Sequence, residues 1–455
     1  MESTEKALEP KRYDQVRAAA LEAIILIEQG EQTEGAVHAV THGRQFRPID
    51  LRFLLQLVNG TTKMRRRLDH EIRFFLARPS AELPIKIANI LRMGFYQLLF
   101  TDKVPPAATV SESVSLARHF VDDRIAGLVN AVLRARLREP HKVHFASKDE
   151  QPVKYLGDFY SYPDYFVKYC LTEFGYARTE ELLKQYNKAP HVTYRVNFLK
   201  AKPDEVAHLL QENQIEFSYG RHLPEFIHIQ GAGLPLEQQL LHTGKVFIQD
   251  ESAGLPVRLL NPKQGESIVD LTAAPGGKAT YAAIRMRNKG RVTAVDKSHQ
   301  RLELVVENAQ RLGIRIIAPV ASDMAEFAAE PFDRVLLDPP CSGWGTAGKH
   351  ADLRWAKSSE DIENLVKIQA KMIDRASRLV KSGGVLVYST CTIMRPENDQ
   401  IIEEFLLRNS KFEIDPAEQF FDKSLVNERG FVKTYPECTD MDGAFCARLR
   451  RKLET

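Results

Sequence analysis

The chain has 455 residues, 44% apolar and 27% charged, which is too long for one hydrophobic core and rich enough for two or three packed domains. Its 63 basic and 60 acidic residues leave a net charge of +3, a total that neither demands nor excludes nucleic acid because it hides local runs. No apolar run reaches the length of a membrane span, and the charged opening MESTEKALEPKRYDQ lacks a signal-peptide core, so a cytoplasmic chain with no membrane partner is expected.

From about Asp14 to Arg138 the pattern is helical throughout. VRAAALEAIILIEQG is apolar at helical spacing and closes on Gly30 as a C-cap. IDLRFLLQLVNGTTKMRRRLDHEIRFFL predicts two helices broken near Gly60, and ELPIKIANILRMGFYQLLF puts Pro84 in a first helical turn. VSESVSLARHF opens on a serine cap, and RIAGLVNAVLRARLRE ends the set. A helical bundle over residues 1–145 is the expectation.

HKVHFASKDEQP is polar, carries a proline and reads as a linker. VTYRVNFL and EFIHI then alternate as strands around the helix PDEVAHLLQENQ, so residues 146–240 are expected to hold a linker and a small α/β connector. From Lys245 the short apolar runs SIVDL, RVTAVD, IIAPV, DRVLLD and GVLVYS alternate with amphipathic helices. That alternation predicts a parallel, doubly wound sheet over residues 241–455.

Ligands of such sheets lie beyond the carboxyl ends of the strands. The first strand runs into LTAAPGGKAT, where small residues and two glycines let backbone approach a ligand and the next helix offers free N–H groups. Lys278 adds a positive charge there. Asp296 ends the second strand, where a carboxylate can bind both hydroxyls of a ribose, and Asp323 follows the third, where an adenine amine could be read. Each feature alone is as well explained by a glycine turn or a solvated acid; the ordered set is harder to explain away. The turn is not G-x-G-x-x-G, which argues against a dinucleotide.

The fourth strand delivers Asp338-Pro339-Pro340-Cys341-Ser342-Gly343, and the fifth delivers Thr390-Cys391-Thr392. Cys170, Cys341, Cys391, Cys438 and Cys446 are odd in number and form no C-x-x-C pair, so neither a disulfide framework nor a metal site is expected. A single cysteine is more often inert packing than a nucleophile. Two of them at neighbouring strand ends suit methyl transfer to carbon 5 of a pyrimidine. Carbon 5 is a poor nucleophile until a thiolate adds to carbon 6, and an acid at N3 stabilises the charge that develops.

DLTAAPGGKAT, AVDKS, DPPCSGWGT and YSTCTIMRPEN resemble the motifs of the RNA cytosine-5 methyltransferases, the NOP2/Sun family. FLLQLVNGTTKMRRRLD, ILRMGFYQLLF, VPPAATVSESVSLA and GLVNAVLRARL resemble the NusB-like domain fused to bacterial members, and KAPHVTYRVN, GKVFIQDESAGLPVRLL and DGAFCARLRR also follow the pattern, so the likeness spans nearly the whole chain. It implies an all-α NusB-like bundle, the connector, and a class I S-adenosylmethionine methyltransferase domain with a Rossmann-like sheet. It implies S-adenosyl-L-methionine as cofactor, Cys391 as the nucleophile, Cys341 as an aid to product release, and Asp338 as the partner of the base. Thr272, Ala273, Ala274, Pro275, Gly276, Gly277 and Lys278 would hold the methionine part, with Asp296 and Asp323 on ribose and adenine and Asp338 bordering the cofactor. The implied target is 16S ribosomal RNA, free or in an assembling small subunit, at cytosine 967 in conventional numbering. A monomer that does not act on DNA is expected.

Two positions depart from the pattern. Thr272 stands where the family usually has cysteine, and Trp344 replaces a small residue, which would reshape the rim near the target base. The target base must leave its stack to meet two thiols and a methyl donor. Phosphate contacts would come from Lys63 with Arg65, Arg66 and Arg67, or from Arg134, Arg136 and Arg138, of which only two share a helix face. Basic helix faces are as often merely solvated. The alternatives are the same chemistry on another RNA, such as transfer RNA, or a non-catalytic RNA-binding or ribosome assembly factor. The latter would have lost Cys391, Asp338 or the Gly276-Gly277 turn, and all are present.

Overall fold

The computed structural model describes residues 13–78, 82–229 and 235–453, so most of the charged opening segment lies outside the described residues. Contacts divide the chain into two units, one ending at Asn187 but including His350–Ala356, the other built from Lys188–Lys349 and the chain from Lys357 onward.

The first unit is helical: α1 (Gln15–Glu28), α2 (Thr33–Thr41), α3 (Pro48–Lys63), α4 (Arg65–Arg73), α5 (Ile85–Phe100), α6 (Pro106–Phe120), α7 (Asp123–Arg138), α8 (Pro152–Tyr160) and α9 (Asp164–Asn187). Asp14 starts α1 by accepting from the backbone N–H of Arg17, and Asp122 does the same for Ile125 at the head of α7. Leu21, Leu54, Leu57, Ile90, Phe95, Leu116 and Leu133 meet in the core. The break expected at Gly60 falls at Met64 instead. Gly60 is small for another reason: a Cβ there would lie 1.9 Å from Cζ of Tyr96. The expected serine cap also gives way, because Pro106 opens α6 more than a turn earlier and leaves Ser111 in the body of the helix. Within this unit Arg354 is fully buried, lies 4.1 Å from the Tyr162 ring centre and donates to Asn187, while the Trp355 indole donates to the Thr62 carbonyl.

The second unit opens with an antiparallel sheet of β1 (Val192–Val196), β2 (Phe217–Tyr219), β3 (Phe226–Ile229) and β4 (Val246–Ile248), in the order β2-β3-β1-β4. The side chains of Tyr194, Val196, Ile227 and Val246 pack with Val206 of α10 (Pro203–Glu212) and Leu240 of α11 (Pro235–His242). After α12 (Glu251–Leu260) come β5 (Ser267–Asp270), α13 (Gly277–Arg285), β6 (Arg291–Asp296), α14 (His299–Leu312), β7 (Ile317–Ala321), β8 (Phe332–Leu337) and β9 (Val380–Thr390). Three further strands follow: β10 (Phe412–Ile414), β11 (Val432–Thr434) and β12 (Ala444–Arg451). The main path is β10-β12-β9-β8-β5-β6-β7; β5 to β9 run parallel, and β12 is antiparallel to β9. The five strands expected from the sequence are the five parallel ones. The order reverses at β5, which has β6 on one side and β8 on the other, so a crevice opens there at the strands' carboxyl ends.

Candidate active site

The glycine turn between β5 and α13 is shaped by sterics. Gly276 sits at φ +102, and a Cβ on it would come within 3.3 Å of the Val305 backbone. Behind the turn, the fully buried Arg195 of β1 donates to the Gly277 carbonyl and, at 3.0 Å, to Thr280 Oγ1. Burial lowers the Arg195 pKa to about 9. Sequence reasoning missed this residue, whose only signal was an arginine amid the apolar alternation of VTYRV.

A cleft of about 860 Å³ lies over this end of the sheet. Thr272, Ala274, Asp296, Asp323 and Asp338 line it, while Ala273, Pro275, Gly276, Gly277 and Lys278 shape the turn without lining the space. Asp296 is buried at the tip of β6 and accepts from the backbone N–H groups of Ala274 (3.3 Å) and Ser298 (3.0 Å). Asp323 is exposed and accepts from Ala325 N at 2.8 Å. The facing wall was not read from the sequence. Ile368 and Met372, one turn apart on the helix Ser359–Arg378, join Met324 there. The only signal for it was an i, i+4 apolar pair on a helix expected merely to cover the sheet.

Parallel pairing of Leu337 with Tyr388 sets the ends of β8 and β9 side by side, and the loops beyond them bring Cys341 Sγ to 3.3 Å from Cys391 Sγ. Asp338 pairs with Lys278 through one carboxylate oxygen and accepts from Ser389 Oγ at 3.0 Å through the other. The hydroxyl of Thr272, the position usually held by cysteine, donates to the Asp338 carbonyl at 2.8 Å. Burial alone would lower the Lys278 pKa, but Asp338, helped by Asp270 and Cys391, holds it above its ordinary value. Burial raises Asp270 to about 7 against the pull of Lys278, and Asp338 and Asp296 add to the rise. The Cys341 thiol is pushed well up by its contact with Cys391, then by burial, then by the negative charges of Cys391, Glu397 and Asp338. Two thiolates this close would repel, so one sulfur keeps its proton. Trp344 does not reshape a rim: its side chain is fully buried.

The first basic run is turned inward. Arg66 pairs with Asp158 (2.7 Å) and Asp164 (2.6 Å). Arg67 pairs with Glu71 and lies over the Phe145 and Phe159 rings, and Arg65 lies over Trp355. Burial lowers Lys63 to about 7. On α7, Arg136 reaches in to Glu71, whereas Arg134 and Arg138 stay exposed four residues apart.

The family described as 16S rRNA methyltransferase RsmB/F matches residues 257–450, the NusB family matches 14–138, and the RsmF/B-like ferredoxin-like domain matches 162–235. A Bacillus subtilis (strain 168) protein named probable ribosomal RNA small subunit methyltransferase B is 34% identical over 96% of this chain and 99% of its own length. A Yersinia pseudotuberculosis (serotype O:1b, strain IP 31758) protein named ribosomal RNA small subunit methyltransferase B is 30% identical over the same shares. Among solved structures, the crystal structure of PH0851 superposes with a TM-score of 0.79 at 26% identity, covering 98% of this chain and 100% of that one. With the crevice at the sheet's switch point and likeness along nearly its whole length, the chain belongs to the ribosomal RNA small subunit methyltransferase B family, enzymes that methylate RNA.

Proposed function

We propose that this enzyme methylates carbon 5 of a cytosine in 16S ribosomal RNA, at position 967, through a covalent bond between Cys391 and carbon 6. The observation that carries the reading is the pair of sulfurs 3.3 Å apart on the loops after β8 and β9, Cys341 directly following Pro340, which lines the cleft with Asp338. A methyl transfer to nitrogen or oxygen has no use for two adjacent thiols. Addition to a pyrimidine ring and release from it need one sulfur to attack and a second group to manage a proton.

The cleft suits S-adenosyl-L-methionine. It has a buried carboxylate, Asp296, for ribose hydroxyls and an apolar wall of Met324, Ile368 and Met372 for an aromatic ring. Its volume of about 860 Å³ falls in the range of small-molecule sites. When bound, that cofactor supplies an activated methyl group. The protein's own residues do the rest. Cys391 is the more exposed thiol, open to pass its proton to solvent, and it adds to carbon 6 as thiolate with the Cys341 S–H beside it. Charge pushed onto the base meets the Lys278–Asp338 pair, one charge of each sign held in a partly buried setting. After methylation a water molecule at the open cleft takes the carbon-5 proton, the C5–C6 double bond re-forms, and the C6–S bond breaks with its electron pair returning to Cys391 as thiolate, which the Cys341 S–H beside it stabilises.

The test is methyl transfer from labelled S-adenosylmethionine to unmodified 16S RNA, mapped by bisulfite sequencing, with Cys391→Ala and Cys341→Ala in parallel. Wild type should protect one cytosine. Cys391→Ala should lose at least about 10⁴-fold in rate, the scale of removing a nucleophile. Cys341→Ala should leave a protein–RNA adduct that survives a denaturing gel. An adduct with Cys391→Ala and none with Cys341→Ala would exchange the two roles.

A further inference from the structure

Both thiol-bearing loops are tied from behind by two consecutive residues that the reaction above does not use. Glu397 is fully buried and accepts from the Ser342 N–H (2.8 Å), from Ser342 Oγ and from Gln369 Nε2 (3.0 Å). Gln369 also donates to the Pro340 carbonyl at 2.9 Å, so both residues flanking Cys341 are held. Asn398 does the same for Cys391. Its amide donates to the Thr392 carbonyl (2.8 Å) and accepts from Thr390 Oγ1 (2.6 Å). The hydroxyls of Ser342 and Thr392, 2.8 Å apart, join the two halves. Asn398 directly precedes the helix Asp399–Arg408, so the network stands on a regular element.

A buried carboxylate is costly unless every contact it makes is well placed, and plain packing would be served better by an apolar side chain. Here three donors converge on Glu397, and two come from the residue that follows Cys341. Covalent chemistry shared by two sulfurs needs the loops fixed relative to each other, because a displacement of about 1 Å costs on the order of 100-fold in rate. We infer that Glu397 and Asn398 are positioning residues, one clamping the Cys341 loop and the other the Cys391 loop in the register that brings the sulfurs into contact; this rests on the two-thiol reading above. The charge of Glu397 also adds to the effects of Cys391 and burial that keep the Cys341 thiol protonated.

Dibromobimane reports the register directly, because it becomes fluorescent only when both of its arms react with neighbouring thiols. Cys341→Ala gives the blank. Glu397→Gln and Asn398→Ala should each slow cross-linking and lower kcat by about 100-fold, with affinity for S-adenosylmethionine unchanged. Only Glu397→Gln should also move Cys341 alkylation by iodoacetamide to lower pH, since it alone removes a negative charge. If Glu397→Gln loses cofactor binding and so has not folded, Ser342→Ala, which breaks the bridge between Glu397 and Thr392, decides by the same cross-linking measurement. Cross-linking and kcat at wild-type levels in these variants would overturn the clamp. Methyl transfer surviving in Cys391→Ala would instead sink the two-thiol reading and leave the cross-linking result standing.

Discussion

Asp270 shows how much one buried atom can shift. It ends β5 at 2% exposure, accepts a long hydrogen bond from Thr272 N (3.4 Å), and among the described residues leaves Oδ2 without a hydrogen-bond partner. A carboxylate so placed is penalised by burial, and its pKa rises to about 7. The unfolded chain releases this proton near the ordinary carboxylate range, so between there and pH 7 the folded state holds more protons than the unfolded. The folded protein therefore loses stability as pH rises through that window. Asp270→Asn, which is neutral at every pH, should escape the loss. Its melting temperature relative to wild type, both without cofactor, should climb between pH 5 and pH 8, and a constant difference would show that Asp270 is ionised throughout.

At the scale of elements, the glycine turn depends on a strand from the connector. Arg195 of β1 anchors the first turn of α13 through Gly277 and Thr280, and its guanidinium lies 4.9 Å from the Tyr281 ring centre. Arg195→Met keeps the bulk but takes one donor from the Gly277 carbonyl and the Arg195 donor from the buried Gln249 Oε1, at a cost of about 1–3 kcal/mol for a buried group left unpaired. Affinity for S-adenosylmethionine, measured by calorimetry, should fall by at least about 10-fold while the Cys341–Cys391 cross-link persists, because the strain is confined to the turn. Equal loss of both would place Arg195 in the stability of the whole sheet instead. The sequence pointed here only through the lone arginine in VTYRV, which does not say what it reaches. The five parallel strands were legible because short apolar runs ended in Gly, Asp or Pro signals, and the glycine turn and both cysteines followed from strand ends. β2 and β4 were not, since three residues carry no period. The α3–α4 break was misplaced because Gly60 serves a ring contact with Tyr96, a long-range fact. The clamp residues Glu397 and Asn398 lay inside a quoted motif, but their partners at 342, 369, 390 and 392 come together only in three dimensions.

For the whole molecule the question is where its charge can act. With 63 basic residues against 60 acidic, affinity for RNA must come from local excess rather than from the total. The first basic run offers none, because Arg66 is spent on Asp158 and Asp164. Burial alone would raise Asp158, yet hydrogen bonds from His70, Lys154 and Arg66 hold it well below the ordinary carboxylate range. That contribution to stability is present above the unfolded carboxylate pKa and disappears as the pH falls toward the folded value. Arg66→Ala should therefore destabilise the helical unit by about 2 kcal/mol at neutral pH, with a smaller difference in acid, and leave the salt dependence of RNA binding unchanged. Arg134 and Arg138 are the converse case. They are exposed and one turn apart, and Arg134 donates to Asn130, a neutral neighbour. Replacing both with Ala should leave the melting temperature alone and reduce the slope of log K against log salt by about 1.5, the effect of two lost phosphate contacts. A double variant with the wild-type slope, beside an Arg66→Ala protein with a reduced one, would mean that the ion pairs of α4 open when RNA arrives and that the inward run is the binding face.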